Sequence, residues 1–181
     1  IPGLDLPCVI SDEFGGVQLA LEHLMSRGHR RIAMVAGRFS PYIVAERYSA
    51  FLEVTRIHGI QVEAQHVKMC EADVESAAQA SMELLTQKDR PTAVLGANDV
   101  IAAGVMKAAR RLGLRVPEDV AVVGFDDSTI CTMLEPELTS VHINCRRMGE
   151  LCVERLRSLL SGEECPPLTT VPEELKVRGT T

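Results

Sequence analysis

Tryptophan is absent and only two tyrosines and four phenylalanines occur, so this 181-residue chain must build its core from aliphatic side chains. No apolar run approaches the roughly 20 residues that cross a bilayer, which excludes a membrane-spanning helix. A surplus of basic charge is missing too. The formal net charge is −6, whereas a nucleic-acid surface has to neutralise phosphates with clustered Lys and Arg. The basic pairs Arg30-Arg31, Arg110-Arg111 and Arg146-Arg147 sit on or beside predicted helices, where a solvated face accounts for them. Contact with DNA is therefore not expected of this chain itself.

Several chemical signatures are also lacking. The six cysteines, at positions 8, 70, 131, 145, 152 and 165, form no C-x-x-C and no spacing that suits zinc or a small disulfide framework. Reduced thiols in a cytoplasmic protein fit this pattern, with Cys70 in a predicted strand and Cys152 on the apolar face of a predicted helix as small core residues. His23, His29, His58, His66 and His142 are scattered without ligand spacing, so no metal is expected. There is no G-x-S-x-G elbow, no P-loop lysine and no G-x-G-x-x-G opening a helix, so no catalytic residue and no cofactor are assigned and the chain does not read as an enzyme. Asp126-Asp127 would suit a phospho-acceptor only with a lysine near a later strand end, where Asn144 and Cys145 stand.

What is present is ordinary globular text, 46% apolar and 24% charged, enough for one domain or a large lobe of something bigger. It opens without an initiator Met, a charged n-region or a cleavage site, and the reading is that it starts within a fold. Short β-branched runs alternate with helical periods, the pattern of an α/β, doubly wound parallel sheet flanked by helices. Phe14, Val17, Leu21, Leu24 and Met25 predict a helix stopped by Gly28, and Ile32 to Ala36 a buried strand. Tyr48, Phe51, Leu52 and Thr55 share one face of a second helix. Strands follow near His66 to Met69 and at Ala93 to Leu95. Helices on Ala77, Ser81, Leu84 and Leu85 and on Ala102, Val105, Met106 and Ala109 flank the latter strand. Val120 to Phe125 is the strongest central-strand signal, and Thr139, Val141 and Ile143 mark another strand. A last helix carries Met148, Leu151, Cys152, Leu156 and Leu159 on a wide apolar face, before a final extended segment at Leu175 to Val177.

Open parallel sheets bind ligands at the carboxyl ends of their strands. The polar residues there are Arg38, Asn98-Asp99 and Asp126-Asp127, with Arg47 at the start of the second helix. Asp accepts, Asn does both and Arg donates in a planar fork, a set suited to a polyhydroxylated or heterocyclic ligand. From spacing alone, Asn98 and the acidic pair serve equally well as helix or turn caps, and Arg47 as a solvated helix residue.

Four stretches, EHLMSRGHRRIAMVAG at 22 to 37, RPTAVLGAND at 90 to 99, GLRVPEDVAVVGFDD at 113 to 127 and PELTSVH at 136 to 142, closely resemble the effector-binding domain of LacI/GalR-family bacterial transcriptional regulators. The resemblance runs in the same order over nearly the whole chain. It implies a periplasmic-binding-protein type I lobe, mainly the C-terminal one, over about 11–141 and 165–181. About 1–10 and 142–164 would cross to or belong to an N-terminal lobe. It further implies a small effector, a sugar or sugar derivative with a nucleoside or an acid also open, held between lobes by Arg47, Asn98 and Asp126, with Ile43 and Val74 on the pocket wall. Several family members stack an aromatic residue on the effector where Val74 stands, and often place a small polar residue where Ile43 stands. Operator DNA would be bound by a separate N-terminal helix-turn-helix head, under allosteric control. A homodimer would form around Ala103, Met106 and Leu134. The competing reading is an extracytoplasmic sugar-binding protein of a transport system, against which six unpaired cysteines weigh. A nucleotide-dependent enzyme has least support.

Overall fold

Every residue of Ile32–Gly37 (β2) is buried, which requires covering layers on both sides of the strand. The computed structural model describes residues 6–38 and 40–181 and supplies those layers. β2 lies in a six-stranded sheet with Val67–Cys70 (β3), Ala93–Gly96 (β4), Ala121–Asp126 (β5), Thr139–His142 (β6) and Glu174–Lys176 (β8), in the order β3-β2-β4-β5-β6-β8. The first five strands run parallel, and β8 closes the edge antiparallel to β6.

Side-chain alternation along each strand divides the core in two. Met34, Ala36, Leu95, Val123 and Phe125 meet Glu13–Ser26 (α1) and Pro41–Ile57 (α2) through Val17, Leu21, Leu24, Phe51 and Val54. Ala33, Val35, Val94 and Val122 face the other way, against Val74–Leu85 (α3) and Asp99–Arg111 (α4), where Ala77, Leu84, Ile101 and Val105 complete the layer. Fold class and the order of the elements of the main sheet are as the sequence predicts. The strand order reverses between β2 and β4, the position at which parallel sheets of this kind leave a crevice at their carboxyl ends.

A second, smaller unit stands beside the sheet. Cys8–Ser11 (β1) pairs in parallel with Leu168–Val171 (β7), and Cys145–Leu160 (α5) packs on β1. The boundary expected at 165 therefore falls later: β7 belongs with β1, and only from Glu174 does the chain rejoin the main sheet. Three crossings connect the units, at Ser11–Glu13, His142–Cys145 and Val171–Glu174. Val153, Leu156, Leu159 and Leu160 of α5 are exposed, and Leu151 is the buried residue of that helix.

Four side chains depart from the sequence reading. Cys152 is exposed rather than in the core, because only a narrow strip of α5 touches β1. On α2, Phe51 and Thr55 are buried as expected, but Tyr48 and Leu52 reach solvent; the buried face is rotated to take in Val44, Arg47, Ala50 and Val54. Phe14 leaves the apolar stripe of α1 and is 44% exposed.

Candidate functional site

Arg47 is among the largest fully buried side chains, 2% exposed. A buried guanidinium demands partners on every edge, and the carboxyl ends of the strands provide them. Its Nε donates to Glu13 Oε2 at 2.6 Å, Nη2 donates to Asp126 Oδ1 at 3.2 Å, and Nη1 donates to the carbonyl of Ala97. The guanidinium carbon lies 3.6 Å from the centre of the Phe125 ring, adding a cation–π contact. Arg47 thus ties α1, α2, β5 and the turn after β4 into one knot.

Two of the three residues singled out for effector binding, Arg47 and Asp126, are in direct contact. Asn98 follows Ala97, the residue whose carbonyl Arg47 engages, and its Oδ1 accepts from Ile101 N at 2.9 Å, capping α4. Asp126 and Asp127 cap no helix; both hold positive φ, 103° and 52°, a conformation that costs non-glycine residues energy and gathers at ligand sites. Asp127 is held by His142 Nδ1 at 3.0 Å and Arg178 Nη2 at 2.6 Å, leaving Asp126 as the acid that reaches solvent, its side chain 40% exposed. Burial pushes the Asp126 carboxyl up to about 6, against the pull of Arg47 and with the charge of buried Asp99 adding to the rise. Asp99 is a structural anchor, accepting from Ser128 N and Ser140 Oγ. Arg38, also at a strand end, is far more exposed and pairs with Glu71 at 3.5 Å.

Beside this knot lies a cavity of about 380 Å³ between the two units. Val9, Met148 and Thr170 contribute from the smaller unit; Asp12, Glu13, Phe14, Tyr42, Ile43 and Glu46 contribute from the larger. Ile43 is on its wall. Val74 does not line this cavity; it lines a separate hollow of about 900 Å³, shared with Ala103, Met106 and Leu134 and the exposed Met133. The three residues expected at a dimer contact therefore share one surface feature.

Sequence reasoning missed the acids of the crossings. Asp12 caps α1, accepting from Gly15 N, and Glu13 accepts from Ser11 Oγ as well as from Arg47. Glu173, on the third crossing, is 7% exposed and has no hydrogen-bond partner for either carboxylate oxygen among the described residues. Burial pushes it up to about 8; the neighbouring charge of Glu13 raises it further, while Arg47 pulls it down. Gly16 makes room for it: a Cβ there would fall 1.7 Å from Glu173 Oε2 and 2.7 Å from Phe125 Cζ. The sequence signal was a polar Ser-Asp-Glu run directly before a helix, legible only once residues 8–11 are seen to be a strand.

A parallel sheet with convergent polar groups at its carboxyl edge, and a cleft against a second unit reached by three crossings, defines a small-ligand-binding module of the periplasmic-binding-protein kind. The sequence profile described as "Periplasmic binding protein-like domain" matches residues 21–181, and the chain belongs to that family, among the effector-binding domains of LacI/GalR-type regulators. It is 33% identical to an HTH-type transcriptional repressor PurR of Serratia proteamaculans over 173 residues, 94% of this chain and 51% of that protein. Among solved structures, it superposes on a lac repressor dimer bound to operator and the anti-inducer ONPF, with TM-score 0.88, 33% identity, and 96% of this chain and 60% of that one covered. A transcriptional regulator CelR–cellobiose complex matches with TM-score 0.88 and 31% identity, covering 100% of this chain and 56% of the other. The chain spans about half the length of the curated relatives it matches.

Proposed function

We propose that this chain is the sensing part of a cytoplasmic DNA-binding transcriptional regulator, which takes a small sugar or sugar derivative in the cleft between its two units and so controls operator binding. The observation that carries this reading is the Arg47–Asp126 pair set beside an inter-unit cavity at the strand-order reversal. Asp126 and the carbonyl-rich strand ends accept from vicinal hydroxyls, and Asn98 does both. The relatives lend support: one similar structure holds cellobiose and another holds operator. The six free cysteines favour a reducing compartment over export. Operator contact falls to a head outside this chain, whose own net charge of −6 is unsuited to phosphates.

Allosteric control follows from the crossings. Closure of the two units on a ligand changes the direction in which the chain leaves β1, and a coupling of about 1–3 kcal/mol suffices to alter operator affinity. The hollow at Ala103, Met106 and Leu134 is the dimer contact that would pair two such heads.

A thermal-shift panel of sugars, sugar phosphates and nucleosides tests the site, since a ligand that binds only the folded state raises stability by RT ln(1 + [L]/Kd). One class is expected to raise Tm. Asp126→Asn is expected to weaken its binding roughly tenfold to a hundredfold, the worth of a hydrogen bond to a charged group, about 1.5–3 kcal/mol. A ligand that binds Asp126→Asn as tightly as the unaltered chain would remove Asp126 from the site.

A further inference from the structure

Glu173 stands where two of the crossings meet. On the first crossing, Asp12 N donates to the carbonyl of Val171 at 3.0 Å, so the first and third crossings are tied to each other by a backbone bond. Two residues beyond Val171, the side chain of Glu173 leaves the third crossing and occupies the place that a side chain on Gly16 of α1 would fill, beside the ring of Phe125. The joint between the two units is thus closed by one buried carboxyl group.

That seat suits a neutral carboxyl and opposes an ionised one. Neither oxygen of Glu173 has a hydrogen-bond partner among the described residues, and a charge held out of water without partners costs far more than its protonated form. The charged groups that face it are Asp12 and Glu13 at the start of α1, Asp126 at the end of β5 and Arg47 on α2. Three acids therefore surround it with a single cation, and that cation is already engaged by Glu13 and Asp126. Other charged side chains on the neighbouring elements have partners of their own: His142 of β6 bonds Asp127, Lys176 of β8 pairs with Glu174, and Arg155 of α5 donates to Thr169. Burial first, and then the charge of Glu13, pushes the Glu173 carboxyl up to about 8 against the pull of Arg47. Once ionised, the group is relieved by moving out, where water solvates it and its distance from the other carboxylates grows.

We propose that Glu173 is a proton-operated latch between the two units: protonated, it holds the third crossing against Gly16 of α1, and on losing its proton it swings out and frees that crossing to bend. The latch acts on the joint rather than on a ligand, so it goes beyond the effector reading and holds for any ligand of the cleft. Seated, the carboxyl keeps its proton up to about pH 8, whereas a swung-out carboxyl loses it near the ordinary 4.5. Opening between those values releases a proton, so its equilibrium constant rises with pH by at most about tenfold per unit and levels off above 8.

The test is native-state hydrogen exchange by NMR at pH 6, 7 and 8, with each amide corrected for the intrinsic pH dependence of exchange. The reporter is the Asp12 N–H, whose bond to Val171 ties the crossings, and the reference is the Ala121 N–H, bonded to the Thr92 carbonyl in the main sheet. Asp12 is expected to exchange through an opening smaller than global unfolding, faster than Ala121, with protection falling at least about fivefold from pH 6 to pH 8. Glu173→Gln has no proton to lose and is expected to hold Asp12 at its pH 6 protection throughout. Gly16→Ala puts a Cβ in the seat of the carboxyl and is expected to leave Asp12 poorly protected at every pH; if that variant does not fold, Glu173→Gln alone decides. Asp12 protection that is flat with pH, or a fall that persists in Glu173→Gln, overturns the latch. Exchange of Asp12 only together with Ala121 overturns it too, since Glu173 would then be exposed by unfolding alone.

Discussion

Glu173 sits where a carboxylate is hardest to keep, 7% exposed, unpartnered and facing Glu13. Its carboxyl is raised from an ordinary 4.5 to about 8, so between those values the folded chain holds a proton that the unfolded chain has lost. Stability therefore falls as pH rises through that window, and the penalty vanishes below 4.5. Glu173→Gln removes the titration while keeping the shape. It is expected to match the unaltered chain near pH 4.5 and to exceed it at pH 8 by about 2 kcal/mol, roughly half of what the full shift would give once solvent screening is allowed for, read from urea midpoints at the two pH values. Equal gains at both ends would mean that the carboxyl does not titrate in that window. The sequence could not show this, because the cost of Glu173 depends on Glu13, Gly16 and Phe125, three residues far away along the chain. Arg47 was legible only as a residue type. Its burial reverses the usual expectation for a helix arginine, and the reason lies in partners drawn from three other segments.

Among the elements, those with one unambiguous pattern could be read directly. β2 and β5 are buried on both pleat faces and their sequences are apolar throughout their central residues. β1 and β7 escaped notice because each is four residues long, only partly buried, and paired with a strand about 160 positions away. The buried face of α2 was misplaced because Arg47 and Thr55 are polar members of it, which blurs the apolar period. The contact between α3 and α4 depends on a residue with no side chain at all. A Cβ on Gly104 would fall 2.4 Å from the Ala77 Cβ and 2.8 Å from the Val74 carbonyl oxygen. Gly104→Val is expected to cost about 3 kcal/mol by overpacking, seen as a lower urea midpoint. A loss under 1 kcal/mol would show that the two helices can separate freely.

For the whole molecule, the hollow at Ala103, Met106 and Leu134 brings self-association within reach of experiment. Met133 lies in it and is 78% exposed, so replacing it does not disturb the core. The chain is expected to be dimeric at micromolar concentration, and Met133→Glu to be monomeric with an unchanged Tm at high dilution, measured by light scattering. A monomer before substitution would detach this surface from dimerisation.

The three crossings at Ser11–Glu13, His142–Cys145 and Val171–Glu174 also set the mechanics. A single tether would let the smaller unit swivel, and two would allow twisting about the line between them. Three tethers restrict both motions and leave bending across them as the soft mode. Two of them carry the carboxylates that press on one another beside Arg47. Charge placed in the cleft therefore acts on the joints themselves, and the angle between the units becomes a gauge of what the cleft holds.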